Sequence, residues 1–156
     1  MKKQTTGVYL LKDDKILFLI RKKKNDAIHK QGMYLPIGGH VELGEGLEEE
    51  AIREVYEESG ITVHSVELNG IVYIRSQHSG LYDNVIFMFT SSDFTGEPVT
   101  GREGSFEWVE RDKLDEVNLY EGDRIYLPLL QKHEFFVVEF LYKGFELIEH
   151  KIITLL

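Results

Sequence analysis

Residues 39–61 read GHVELGEGLEEEAIREVYEESGI, and no other stretch restricts the fold of this chain so strongly. Nothing between Leu47 and Ser59 breaks a helix, and Gly60 supplies the left-handed residue that ends one. At about 100° per residue, Glu54, Glu57 and Glu58 fall within an arc of roughly 100°, with Glu50 inside it. Ala51, Ile52, Val55 and Tyr56 occupy an adjoining arc suited to a core. The helix must therefore bury one side while another gathers like charges. Carboxylates three and four residues apart cost about 0.2–0.5 kcal/mol per pair. Two arrangements relieve that cost. One is a solvated acidic face diluted by Arg53 and more distant lysines, which is the usual fate of a charge run. The other is a hard divalent cation, and magnesium favours a few carboxylates plus substrate phosphate oxygens.

The flanking sequence predicts strands. GVYLLKDDKILFLI reads as two β-rich runs joined at Asp13–Asp14. A polar, basic loop follows from Lys22 to Gln31, and the stretch from Tyr34 to Glu45 is too glycine-punctuated for a long helix. Val63–Ile74, Val85–Thr90 and Phe106–Val109 are further strand candidates. Residues 121–132 suit a second helix, in which Pro128 implies a late start or a kink. The tail, FFVVEFLYKGFELIEHKIITLL, suggests a hairpin turning near Lys143–Gly144. Strands mixed with two helices predict an α+β, mixed α/β fold, and no linker or repeat divides residues 1–156 into more than one domain.

Composition narrows the partners. The chain has 156 residues, 42% of them apolar and 29% charged, which suits an ordinary globular domain. It has no cysteine, which removes disulfides, thiol nucleophiles and thiolate metal sites and is compatible with a reducing cytoplasm. Its formal charge of −9 argues against binding a nucleic-acid polymer nonspecifically, because that needs a basic face. No run approaches the roughly 20 apolar residues of a membrane span. MKKQTTGVYLL also makes a poor signal peptide, so no membrane association is expected. An acidic protein can still take a polyphosphate if divalent cations bridge the two sets of charge.

The spacing in 39–61 changes the balance between the two arrangements. Gly39, Glu45, Arg53, Glu54, Val55, Glu57, Glu58, Gly60 and Ile61 match all nine fixed positions of the Nudix signature, over 23 residues, and the chain resembles that family. The resemblance implies a Nudix-type α/β/α sandwich with a mixed central sheet. It implies magnesium as cofactor, with manganese as a substitute, and the metal ligands Glu54, Glu57, Glu58 and the backbone carbonyl of Gly39. Arg53 would orient the carboxylates, beside its plainer role in an ion pair with Glu57 or Glu49. Glu45 would pin the loop to the helix or support the metal shell. Gly38 and Gly39 would let backbone approach metal and phosphate. Cations would then neutralise a diphosphate, and a carboxylate would take a proton from the attacking water. Glu57 or Glu58 is the candidate base, with Glu103 in the loop before Trp108 as the outside candidate.

Substrate must be read from elsewhere. GSFEWVERDKL, YEGDRIYLPLL and FFVVEFLYKGFEL resemble the corresponding run of the MutT-like oxidised-purine nucleoside triphosphatases. That resemblance makes Tyr120 a stacking face and Asp123 a reader of a base edge. The alternatives are a core role for Tyr120 and a helix cap for Asp123. Two departures stand out: Leu35 replaces an asparagine and Gly122 an aspartate found in some purine-specific relatives. Arg21 and Lys23 are candidate phosphate contacts, or else solvated strand-end charges. His29 and His40 read as ordinary loop residues and Trp108 as core.

The expected function is a magnesium-dependent pyrophosphohydrolase of nucleoside triphosphates such as 8-oxo-dGTP, releasing a monophosphate and pyrophosphate. The alternatives are a Nudix hydrolase of a nucleotide sugar or dinucleotide, and a nucleotide-sensing module without turnover. A small-molecule nucleotide is the expected partner, and the sequence fits a monomer and a homodimer equally.

Overall fold

The computed structural model describes residues 2–22, 31–77, 83–101 and 103–153. Most of the basic loop, with Lys23 and His29, lies outside the described residues.

Strand β1 (Lys2–Lys12) turns at Asp13–Asp14 into β2 (Lys15–Arg21), with Leu10 opposite Leu17. Asp13 takes φ 55°, which a short polar side chain tolerates in a tight turn. Two short strands, β3 (Tyr34–Leu35) and β4 (Ile37–His40), lead into α1 (Leu47–Ser59). Then come β5 (Thr62–Ser76), β6 (Asp83–Thr95) and β7 (Gly104–Glu110). A short 3-10 helix at Arg111–Glu116, α2 (Glu121–Gln131) and the hairpin β8 (Phe136–Lys143) and β9 (Glu146–Ile153) complete the order.

The strands form one mixed sheet in the order β3-β2-β1-β6-β5-β8-β9, with β4 also paired to β1 and β7 to β2. β1 runs parallel to β6 and antiparallel to β2 and β4. Period-two alternation sends neighbouring side chains to opposite faces. Val8, Leu10, Leu17 and Leu19 pack under α1 against Ala51 and Val55. Tyr9, Leu11, Ile16 and Phe18 pack under α2 against Tyr126, Leu127 and Leu130. A sheet apolar on both faces must be covered on both, and the α/β/α sandwich follows.

Three expectations need correction. α2 does not start late: it begins at Glu121 and contains Pro128, whose missing N–H falls beyond the first turn. β6 runs on to Thr95 through SSDFT, because Asp93, Phe94 and Thr95 pair with Ser65, Val63 and Thr62 of β5. Its polar composition hides that extension from pattern reading. Tyr56 is 60% exposed and not part of the core, whereas Ala51 and Val55 are fully buried and Ile52 packs at the margin.

Gly60 ends α1 at φ 80°, donating its N–H to the Tyr56 carbonyl at 2.9 Å. Nothing lies within 4 Å of where its Cβ would be, so only backbone conformation resists a side chain. Gly60→Ala is expected to lose about 1–2 kcal/mol of stability, measured by urea unfolding; an unchanged midpoint would contradict the left-handed cap.

Candidate active site

Backbone first brings the two halves of the 39–61 segment together. Thr6 of β1 lies opposite Gly39 of β4, and Gly7 opposite Gly38. A Cβ on Gly38 would collide with the Thr6 carbonyl oxygen, so the close pairing there requires glycine. A Cβ on Gly39 would stand 2.5 Å from Oε1 of Glu54. The carboxylate of Glu54 therefore rests directly on the Gly39 backbone, in space that any other residue would fill.

Helix α1 presents its charge through one cation. Arg53 Nε and Nη2 donate to the two carboxylate oxygens of Glu45 at 2.7 and 3.1 Å, a bidentate fork. Its Nη1 donates to Glu54 at 3.2 Å and to Glu57 at 2.9 Å. Glu45 also accepts the backbone N–H of Glu42, so the same fork ties the loop to the helix. Glu49 is not an Arg53 partner; its carboxylate accepts the Gly46 N–H at 2.9 Å at the start of the helix. The hydrogen bond from Arg53 holds the Glu45 carboxyl below its ordinary range, and Glu45 and Glu57 in return push the guanidinium pKa up. Burial pushes Glu54 up, Arg53 opposes that, and Glu57 adds repulsion.

Glu50 differs from its neighbours. Its side chain is 0% exposed, its Oε2 accepts the Thr6 hydroxyl, and its Oε1 has no hydrogen-bond partner. Burial raises its pKa to about 7, with the Thr6 bond lowering it and Glu54 raising it further. Helical arithmetic placed Glu50 on the acidic arc, but only the sheet beneath shows that it is sealed in.

Among the described residues, no three His, Asp or Glu side chains converge to grip an ion by themselves; Glu45, Glu54 and Glu57 close instead on Arg53. The donor set still fits a hard divalent cation. It offers carboxylate oxygens, a backbone carbonyl at Gly39 that no Cβ shields, and one buried oxygen without a partner. Glu58 sits half-buried on the last turn. The loop at Val99 and Gly101 closes over that turn: Val99 N–H donates to the Ser59 carbonyl at 2.9 Å, and a Cβ on Gly101 would lie 2.7 Å from the Glu58 carbonyl. The loop leaves Glu103 exposed at the start of β7, its carbonyl accepting the Lys22 N–H. Arg21 ends β2 opposite Gly104, and its Nη1 is buried without a hydrogen-bond partner among the described residues.

A second group lies on the α2 face. Tyr120 caps α2 by backbone alone, and its half-buried ring meets Phe145 at 6.4 Å. It is not a core residue. Asp123 sits in the first turn and does not cap the helix through its side chain; its N–H donates to the Tyr120 carbonyl. Asp123 is half-buried, and protein crowds its carboxyl. Desolvation pushes its pKa up to about 7, against a hydrogen bond from Tyr126 and the nearby charge of Arg124. Tyr126 in turn shares a 2.8 Å hydrogen bond with the Tyr9 hydroxyl. These buried hydroxyls, and that of Tyr142, escaped sequence reading because they come from β1, α2 and β8. Gly122 donates its N–H to the Tyr142 hydroxyl at 2.7 Å, and a Cβ there would strike Phe140 and Tyr142. A second acid at 122 has no room. Leu35 is half-buried in β3, exposed His40 ends β4, and Trp108 stacks on Phe94 at the margin of the α1-side core.

A carboxylate helix is thus clamped by one arginine and seated on a glycine pair within an α/β/α sandwich, and the comparisons with known proteins give this arrangement its class, a hydrolase. The chain belongs to the Nudix family: the NUDIX domain model matches residues 1–130. It is 28% identical over 152 residues to the oxidized purine nucleoside triphosphate hydrolase of Danio rerio, covering 96% of this chain and 94% of that one. The MutT mutator protein of Bacillus halodurans superimposes with a TM-score of 0.82 at 28% identity, over 96% of this chain and 97% of that one. The MutT NUDIX hydrolase of Burkholderia pseudomallei gives 0.71 at 25% identity, over 84% and 97%. No helix among the described residues is long and apolar enough to cross a membrane.

The raised pKa of Asp123 has a consequence for stability. Its folded pKa of about 7 lies above its ordinary 3.8, so folding favours the protonated acid. That contribution is complete below the ordinary value and is lost as pH rises through the folded one. Asp123→Asn should therefore gain stability relative to the parent chain between about pH 4 and pH 8. Urea unfolding across that range measures the difference, and a flat difference would show that the carboxyl is not desolvated.

Proposed function

We propose that this Nudix hydrolase is a magnesium-dependent pyrophosphohydrolase of nucleoside triphosphates, with oxidised purines such as 8-oxo-dGTP as substrates. On this reading residues 1–156 act as one domain. The observation that carries the metal assignment is the Glu54 carboxylate resting on the Gly39 backbone. Glu54, Glu57, Glu58 and the Gly39 carbonyl would hold the cation. When bound, magnesium supplies charge neutralisation at the diphosphate and eases deprotonation of water.

The chain's own residues do the remaining work. Arg53 holds Glu54 and Glu57 in place while its fork to Glu45 fixes the entering loop. Glu57 or Glu58 accepts the proton of the attacking water, and Glu103 stands as the outside candidate on the loop packed over α1. Arg21, with its unpartnered Nη1, is a phosphate contact, and Lys23 two residues on is a second. Tyr120 offers an aromatic face and Asp123 a carboxyl that keeps its proton up to about pH 7, both at the same end of α2. A neutral acid both donates and accepts, which suits a base edge presenting both functions. The relative from Danio rerio supports the substrate class, since its similarity spans both α1 and α2.

Chelation tests the metal dependence. Protein treated with chelator should release no pyrophosphate from nucleoside triphosphates, and added magnesium should restore release. Full activity in excess chelator would remove the metal-dependent mechanism. A panel of triphosphates, nucleotide sugars and dinucleotides assayed with magnesium should rank triphosphates first.

The α2 end supplies a separate test. Tyr120→Ala should cost about 1–3 kcal/mol of binding by analogy with base stacking on aromatics, a rise in apparent Kd of about five- to 150-fold. Asp123→Asn should alter the ratio of kcat/KM for 8-oxo-dGTP over dGTP more than the maximal rate. Unchanged ratios in both variants, together with lowered melting temperatures, would return both residues to structural roles.

A further inference from the structure

Glu50 has no part in the roles assigned above, and its surroundings are difficult to reconcile with a purely structural side chain. It lies one turn before Glu54, on the same face of α1. It is fully buried, and a buried carboxylate is costly unless paired or coordinated. One oxygen is held: Oε2 accepts the hydroxyl of Thr6, whose backbone faces Gly39 across the β1–β4 pair. The other is not. Oε1 has no hydrogen-bond partner among the described residues, and the nearest guanidinium nitrogen, Arg53 Nη2, is 4.0 Å away.

A proton on Oε2 could be donated to the Thr6 hydroxyl and would remove the charge, but Oε1 would remain a buried acceptor without a donor. Arg53 does not resolve it either. Its three nitrogens are committed to Glu45, Glu54 and Glu57 at 2.7–3.2 Å. The unpartnered oxygen thus lies 4.0 Å from Arg53, on the helix turn that precedes Glu54, whose own carboxylate rests against Gly39. A hard cation held there would satisfy both its charge and its lone pairs.

We propose that Glu50 is an additional, inner carboxylate of the cation site on α1, oriented by the Thr6 hydroxyl and supplying Oε1 to the ion or to its coordinated shell. The proposal rests on the reading that α1 binds a divalent cation. It makes Glu50 a determinant of metal affinity, placed beneath the exposed carboxylates where solvent cannot compete. Thr6 becomes a positioning residue that acts through it.

Manganese titration followed by electron paramagnetic resonance tests this without turnover, using the full chain and Mn2+ alone. Glu50→Gln keeps the volume and removes the charge, Glu50→Ala removes the carboxyl, and Thr6→Val removes only the hydroxyl that orients it. Glu54→Gln serves as the standard for an assigned ligand. Both Glu50 variants should weaken Mn2+ binding by about 10- to 100-fold, the range seen when outer-shell partners are lost. Thr6→Val should weaken it to a smaller degree. If Glu54→Gln weakens binding while the Glu50 and Thr6 variants bind as the parent does, the Glu50 assignment is overturned and the α1 metal reading stands. If Glu54→Gln also binds as the parent does, both fall. Should the Glu50 variants fail to fold, Thr6→Val decides, since it leaves the carboxylate in place.

Discussion

One guanidinium holds the active region together. Arg53 hydrogen-bonds three carboxylates, and those of Glu42 and Glu50 lie within 4.0 Å. Without it, the acidic face of α1 would repel both itself and the loop that enters the helix. A single positive charge cannot balance so many negative ones, and the face keeps a surplus of negative charge. Arg53 also sets geometry. Its planar fork binds Glu45 through two parallel contacts, which lysine cannot reproduce.

The sheet beneath decides which of those carboxylates meet solvent. β1 supplies Thr6 toward α1 and Tyr9 toward α2, three residues apart, or roughly 10 Å along the strand. The acidic site and the tyrosine-lined end of α2 are thus referenced to one backbone, although they lie on opposite faces. This is why an aromatic hydroxyl pair deep in the α2-side core bears on a carboxyl in the first turn of that helix. Tyr126 bonds Asp123, and Tyr9 bonds Tyr126.

Local pattern carried much of this architecture. The helix from Leu47 to Ser59, its stop at Gly60, the turn at Asp13–Asp14 and the hairpin near Gly144 are all legible, since each depends on residues close in sequence. The nine signature positions identified the family because their spacing is fixed by one loop and one helix. What escaped depends on distant partners. Tyr56 and Glu50 follow from helical periodicity only up to rotation, and the sheet beneath then buries the acid and exposes the aromatic. The empty place at Gly122 is legible only once Phe140 and Tyr142 are seen across from it. The end of β6 was obscured by its polar residues, although Asp93 and Thr95 there pair with β5.

The position of β1 also bears on motion. It is paired along one edge by β6 from Lys2 to Leu10, and along the other by β4 and then β2. Local opening begins where backbone hydrogen bonds are exposed and ends where they are enclosed. The amides of Val8 and Leu10 are covered on both edges and both faces, so their exchange with solvent is expected to track global unfolding. Loops on either side of the sheet can open on much faster timescales while the strand that spaces Thr6 from Tyr9 stays closed. The molecule thus carries its ruler in a strand enclosed on both edges.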